Sequence, residues 1–526
     1  MTRNAAIGLL ALGTPLWLTS CAEPGAPDEG IEPGVITVDG GQIAGAPSPL
    51  GADISVYRGV PFAAPPVGEF RWRPPQPVAP WDGVRDATVP APACVQTPIP
   101  AGVGSFYDAG VDEISEDCLY LNVWSGASPE ARAPVLVWIH GGGLTIGNGA
   151  DVSYDGTALA RRGAVVVTIN YRLGALGYLA HPLLSAESEH DASGNFGTLD
   201  QVAALEWVQR NIASFGGDPD RVAIFGESAG AADVGYLLLS PLAKGLFHRA
   251  ISQSGGYQVS DFRDLADEEA QGQKLAERVG NLRAVSAAKL LEEAAALGSE
   301  QDYGPNIDGW VLPGAPARLH LEGRQQAIPL LIGANADEWS MYVPEGLEPA
   351  EYDARQRQGT NKYFVCPSQF VARTMAGVDT PAYLYYFTRA LPGSGAYRAY
   401  HGAELAYVFG TAETWHRWES VDEHLNEMMM NYWVQFAKTG NPNSEGLPYW
   451  PPFGEGDAYM ELGETIRVRH LVALLDEPRA PLHLLLLRRQ RVLARLLQGL
   501  SQSMSIQSSL LQLGTTQLAR LQPSTH

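Results

Sequence analysis
The feature that most constrains the fold is a recurrence of short apolar runs. Six of them, "PVLVWI" (134–139), "AVVVTINY" (164–171), "RVAIFG" (221–226), "RAISQSG" (249–255), "IPLLIGA" (328–334) and "AYLYYF" (382–387), are separated by longer stretches of helical character. Runs this short and this apolar are strands buried on both faces, and such strands belong to a mainly parallel sheet covered by helices. In the connecting segment 198–215, Leu199, Val202, Ala203, Leu205, Val208 and Ile212 form the apolar stripe of a helix packed on the sheet, a structural element rather than a functional one. The expected fold class is therefore α/β, with a large, mostly parallel central sheet flanked by helices. In such sheets the working groups gather in loops beyond the carboxyl ends of the strands.

Length and charge narrow the reading further. The chain has 526 residues with 57 glycines and 38 prolines, which implies many turns and no long-helix or repeat architecture. No linker-like stretch interrupts residues 35–470, so one large domain with long insertions is expected there. The formal charge of -22 excludes nucleic acid as a partner, because a phosphate-binding protein needs a basic face.

The N-terminus reads as an export signal over residues 1–20: Arg3, then "AAIGLLALGTPLWL", then "LTSC". The apolar run is too short to span a bilayer as a mature helix. "LTSC" resembles the bacterial lipoprotein signal, in which cleavage leaves a lipid-bearing cysteine, here Cys21; a plain secretory signal is the alternative. The expectation is an exported protein held at a membrane through Cys21, or else periplasmic or secreted. Residues 21–34, including "AEPGAPDEGIEPG", read as a flexible tether. Export permits disulfides, and Cys94 and Cys118 flank a Gly- and Pro-containing segment that suits a loop closed by a bridge, worth about 3.5 kcal/mol by chain entropy. Cys366 is expected as a buried thiol. No CxxC or HExxH spacing marks a metal site.

The chemistry-bearing residues start with Ser228. It follows the strand "RVAIF", lies between Gly226 and Gly230, and precedes an apolar segment able to run as a helix. That is the context a G-x-S-x-G nucleophile turn requires, since a sharp strand-to-helix turn leaves room only for small residues. A serine hydroxyl needs a base, and an attacked carbonyl needs donors for its developing charge. "PVLVWIHGGGL" ends a strand in glycines 141–143, so Gly142 and Gly143, with the amide of Ala229, are the candidate oxyanion donors; a mere tight turn is the plainer alternative. For the acid, "IPLLIGANADEWSMY" offers Asp337 and Glu338. Among His401, His416, His424, His470, His483 and His526, only His401 follows a strand with a loop and a glycine beside it.

Taken together, "YRGVPFAAPPVGEFRW", "SEDCLYLNVW", "HGGGL", "GNFGTLDQVAALEWVQRNIASFGGDP", "FGESAG", "DEWSMY" and "HGAELAYVFG" resemble the type-B carboxylesterase and cholinesterase family over residues 35–460. The resemblance implies an α/β-hydrolase fold and a serine hydrolase that cleaves carboxylic esters through an acyl-enzyme, without cofactor or metal. It selects Glu338 over Asp337, matches His401 to the base, pairs Cys94 with Cys118, joins Arg71 to Glu116 beside that bridge, and turns Glu227 toward the site. A thioester or amide hydrolase with the same residues is the nearer alternative, and a non-catalytic adhesion module the remoter one. Choline-ester hydrolases of the family carry a tryptophan in the disulfide loop; this chain has Phe106 and Tyr107 there instead, so choline esters are not the expected substrates. Leu144 stands where many relatives have an aromatic, which widens the expected acyl side. The chain departs from the family in a tail, residues 471–526, whose last part, 479–526, carries six arginines and no acidic residue. "LHLLLLRRQRVLARLLQGL" suits either a basic amphipathic helix or an extension with no part in the fold.

Overall fold
The computed structural model describes residues 34–97, 113–259, 262–298, 303–411, 418–454 and 456–471. Eleven strands among these form one sheet: β1 (Ala46–Ser48), β2 (Gly51–Pro61), β3 (Tyr120–Ser125), β4 (Ala133–Ile139), β5 (Val165–Ile169), β6 (Gly217–Glu227), β7 (Arg249–Gln253), β8 (Leu330–Asn335), β9 (Ala382–Phe387), β10 (Ala458–Leu462) and β11 (Arg467–His470). Their order across the sheet is β11-β10-β9-β8-β7-β6-β4-β5-β3-β2-β1. From β5 to β10 every neighbouring pair is parallel, while β3, β2, β1 and β11 join antiparallel at the two ends.

The helices that cover this sheet include α1 (Phe196–Asn211), α2 (Ala229–Leu239), α3 (Cys366–Met375) and α4 (Ser420–Thr439). Alternation along the strands splits the core in two. Val135, Val137 and Ile139 of β4 face α1, α2 and α3 through Val202, Leu205, Val234, Leu237 and Val371. Leu136 and Trp138 face the opposite way, onto Met429, Trp433 and Phe436 of α4. Residues on both alternating positions are therefore apolar, as a sheet covered on both sides demands.

The six expected strands are present. β9 has the expected bounds; β6 begins four residues earlier, at Gly217, and β7 ends at Gln253. The helix expected over 198–215 begins at Phe196, and its last turn, Ile212–Phe215, tightens to 3-10 geometry before Gly216 stops it at φ 79°. No helix among the described residues is long and apolar enough to cross a membrane.

Candidate active site
The strand order reverses between β4 and β6: the chain leaves β4 toward β5 on one side and leaves β6 toward β7 on the other. Loops that depart in opposite directions open a crevice beyond the strand ends. The glycine loop follows β4 and Ser228 follows β6, so both stand at this crevice.

Ser228 joins β6 to α2 with φ 55° and ψ -124°. Such a conformation costs an L-residue on the order of 1–3 kcal/mol and persists only where the surroundings dictate it. Here they are backbone. The Ser228 N–H donates to Gln253 O at 2.9 Å, and Ser228 O accepts from the Ala232 N–H at 2.9 Å. A Cβ on Gly226 would lie 2.5 Å from the Gly230 carbonyl carbon, and one on Gly230 would lie 2.0 Å from Ile139 O. Side chains are excluded at both flanking positions, which is why glycine stands there.

The loop after β4 packs against this turn. A Cβ on Gly141 would meet Glu227 O at 2.8 Å and Ser228 Cβ at 3.1 Å. Gly142 and Gly143 have φ of 99° and 63°, and the N–H groups of Thr145 and Ile146 both donate to Gly142 O at 3.1 Å. The glycine run is thus a tight turn that also abuts the serine. His140, which begins it, is buried; Tyr171 stacks on its ring at 4.5 Å and donates from its hydroxyl to His140 O at 2.8 Å.

Glu338 and His401 come from the loops after β8 and β9. The Nδ1 of His401 lies 2.5 Å from Glu338 Oε2. Glu338 is fully buried, and its Oε1 accepts from Ser254 Oγ at 2.5 Å and from the Asn335 N–H at 2.6 Å. The other ring nitrogen, Nε2, lies 3.2 Å from Glu227 Oε1. Burial alone would lower the imidazole pKa, but the charges of Glu227, Tyr342 and Glu338 and the bond to Glu338 outweigh it and hold the group well above the usual histidine value. Among the described residues no hydrogen bond joins His401 to Ser228. Asp337 faces away: Arg398 Nη1 is 3.3 Å from its Oδ1 and the Ala399 N–H 3.3 Å from its Oδ2. An aromatic wall closes the imidazole side, with Phe364 5.0 Å and Tyr342 6.2 Å from the His401 ring.

Several participants are not evident in the sequence. Glu404 is fully buried; Gln253 Nε2 donates to it at 3.1 Å and Asn335 Nδ2 at 2.5 Å, which ties the ends of β7 and β8 together below Glu338. Burial, with the nearby Glu338 charge, raises its carboxyl pKa. A mark at helical spacing from His401 is absent in "HGAEL", because Gly402 at φ 81° breaks the helix between His401 and Glu404 and the next helical segment begins only at Leu405. Ser254, held at φ 61° to reach Glu338, carries no such mark.

The remaining expected residues are spread across the fold. Cys94 and Cys118 form a disulfide, and Arg71 binds Glu116 through Nε–Oε2 at 2.7 Å and Nη2–Oε1 at 2.5 Å while donating to the carbonyls of Leu282 and Val285. Cys366 is a thiol, as expected, but only partly buried; burial still pushes its pKa up to about 12. Leu144 is partly buried against the core at φ 62°. His424 lies exposed on α4 and His470 exposed on β11. Cys21 with residues 1–33, Phe106, Tyr107, His416, His483, His526 and residues 472–526 lie outside the described residues. Among the described residues no group of His, Cys, Asp or Glu is arranged to hold a metal.

A crevice at the switch point of a mostly parallel sheet, with a strained serine turn and a glycine loop at its mouth, is the arrangement of an α/β-hydrolase, and the comparisons carry the assignment further. A family model described as "Carboxylesterase family" matches residues 32–363 and 348–474. The fumonisin B1 esterase of Sphingopyxis macrogoltabida is 37% identical over 472 residues, 80% of this chain and 86% of that protein. A medium-chain fatty acyl-CoA hydrolase precursor of Anas platyrhynchos is 38% identical over 486 residues, 78% of this chain and 85% of that protein. Among solved structures, a Geobacillus stearothermophilus carboxylesterase superposes with a TM-score of 0.73 at 35% identity, covering 83% of this chain and 97% of that one. The chain belongs to the carboxylesterase family, and it is a serine hydrolase of carboxylic esters.

Proposed function
We propose that Ser228 is the nucleophile, His401 its general base and Glu338 the group that fixes the imidazole tautomer, with the amides of Gly142, Gly143 and Ala229 receiving the oxyanion. The observation that carries this reading is the contact of 2.5 Å between buried Glu338 and His401, on loops one and two strands beyond the one that supplies the serine's backbone partner. His401 takes the Ser228 proton as the oxygen attacks the ester carbonyl, and returns it to the departing alcohol. The acyl-enzyme is then cleaved by water with the same imidazole as base. In this reading the Ser228–His401 hydrogen bond forms when substrate occupies the crevice, as catalytic hydrogen bonds often do. Glu227 sets the charge on the other side of the imidazole.

Turnover of a short-chain ester by Ser228→Ala, His401→Ala and the double variant tests the assignment. Groups that act as one unit do not add, so all three are expected at a similar residual rate, roughly 10⁴-fold or more below the parent. Glu338→Gln is expected to be impaired more than Asp337→Asn. A folded Ser228→Ala that keeps a few per cent of parent turnover, or a stricter need for Asp337, refutes the reading.

The proposed substrates are short and medium acyl esters, with acylcholines disfavoured, because "HGGGL" presents Leu144 on the acyl side and the disulfide loop lacks a tryptophan. Specificity constants across an acyl-length series, set against acylcholine, decide this. A second reading, thioester hydrolysis, is favoured by the relative named as a fatty acyl-CoA hydrolase; matched ester and thioester substrates separate the two. For placement we propose export with lipidation at Cys21, residues 21–34 as a tether, and residues 35–470 as the catalytic domain, a span supported by the family match over 32–474. The mass of the mature N-terminus tests it: an unmodified start at Ala22 or later excludes the lipid.

A further inference from the structure
The glycine loop is moored at its far end by a side chain that takes no part in the reaction. Gln96 lies two residues past Cys94 and is buried. Its Nε2 donates to Gly147 O at 2.9 Å and its Oε1 accepts from the Gly147 N–H at 2.9 Å, so one amide holds both polar groups of one backbone residue. The same Nε2 donates to Cys94 O at 3.0 Å. The clasp is set on a cross-linked base. Cys94 is bridged to Cys118, and Asn170, just past β5, donates to Cys118 O at 3.1 Å while accepting from the Gly149 N–H at 2.8 Å.

Gly147 stands directly behind the glycines that face the serine. A Cβ on it would lie 2.4 Å from His140 Nδ1 and 2.9 Å from Gly141 O, so the loop folds back onto its own first residues. A Cβ on Gly142 would lie 2.2 Å from Ile146 O. That oxygen and the Gly147 N–H belong to one peptide unit, and in a planar trans peptide the two point in opposite directions. The unit is therefore held between Gly142 on its carbonyl side and Gln96 on its N–H side. Glycines at φ 99° and 112° restrain their own peptides little, and the Gln96 amide supplies that restraint from outside the loop.

We propose that Gln96 is a positioning residue for the oxyanion site: by fixing the Ile146–Gly147 peptide against Gly142, it holds the amides of Gly142 and Gly143 where the developing charge arrives. The proposal rests on the reading of those two amides as oxyanion donors. Such donors act because they are aimed before the charge develops. Loss of the clasp leaves the N–H and carbonyl of Gly147 unpaired, and the peptide turns to recover partners, carrying Gly142 with it. The cost falls on the transition state and spares the bound ester, whose carbonyl oxygen does not yet carry the charge.

The experiment compares the full chain with its Gln96→Met variant, which has a side chain of similar length and no amide, after circular dichroism shows it folded. On a short-chain ester kcat is expected to fall about tenfold, short of the roughly hundredfold or more that deleting a donor outright costs. KM should stay within about twofold, the mark of an interaction made only in the transition state. An amide with a purely structural part would lower the thermal midpoint without this split. The second readout is a trifluoromethyl ketone of the same acyl outline, whose carbonyl takes up the Ser228 oxygen and becomes a tetrahedral alkoxide. It is set beside its secondary alcohol, which has no carbonyl to attack. The parent should bind the ketone more tightly than the alcohol. In Gln96→Met the ketone's affinity should drop by the same factor as kcat/KM, and the alcohol's should not change. A folded Gln96→Met with parental kcat overturns the proposal, and so does a loss confined to KM or one shared equally by ketone and alcohol. Should that variant not fold, Gln96→Asn, whose amide stops one methylene short of Gly147, is held to the same outcomes. A parent that does not prefer the ketone sinks the reading of Gly142 and Gly143 and this proposal with it, whereas a Gln96→Met that keeps the parent's preference sinks this proposal alone.

Discussion

At the level of single residues, the imidazole of His401 is the most constrained group in the crevice, with Glu338 on one nitrogen and Glu227 on the other. Both carboxylates favour its cation, and only the neutral ring accepts a proton from serine. Removing the charge of Glu227 by Glu227→Gln should lower the histidine's pKa and leave it neutral to more acid conditions. The acid limb of kcat/KM should accordingly move to lower pH; a limb that stays put, or moves up, contradicts this. The sequence singled out Ser228 by the strand and the glycines around it and His401 by a loop and a glycine beside it, and it chose Glu338 over Asp337 by family resemblance. In the structure Glu338 meets His401, whereas Asp337 is engaged by Arg398 and the Ala399 amide. Asp233, Gln253, Ser254 and Glu404 were not legible. A polar residue inside an apolar helix or at a strand end leaves no periodic trace, and its partners arrive from distant parts of the chain.

At the level of elements, the turn from β6 to α2 depends on missing side chains. Gly230→Ala would drive a methyl into Ile139 O at the end of β4, and the close approach involves backbone on both sides, so no rotamer change relieves it. Separating the glycine loop from the serine by even about 1 Å costs roughly a hundredfold in rate. Gly230→Ala should show that loss with a lowered thermal midpoint; near-parental turnover would mean that the two loops need not touch. The parallel strands could be read from composition because both faces are buried. β2 could not: Gly51–Pro61 is polar at its start and changes register against β3 between Tyr57 and Val60, which breaks any simple alternation. The helix expected as mere packing, α1, also carries Asp200 and Gln201, buried polar groups that hold Arg172 and Asp233.

At the level of the whole molecule, the family match ends at residue 474, and the last strand of the sheet among the described residues ends at His470. Deleting residues 479–526 should leave the turnover of a small ester within about twofold of the parent, as changes remote from special features usually do. A truncated enzyme that folds but is inactive would assign the tail a part in the site. The strand order has a consequence for how the enzyme comes into being. Beyond β6, each new strand, from β7 to β11, is laid beside the one before it, in the order in which a growing chain supplies them. The serine turn and the glycine loop belong to the first half of that sequence, whereas Glu338 and His401 arrive with strands that emerge only after residue 330. With the proposed roles of Ser228, His401 and Glu338, a nascent or prematurely ended chain would hold the serine with no base to activate it, so hydrolytic power would arise only when nearly the whole polypeptide has been delivered, and the compartment that synthesises the chain would be spared its activity until then.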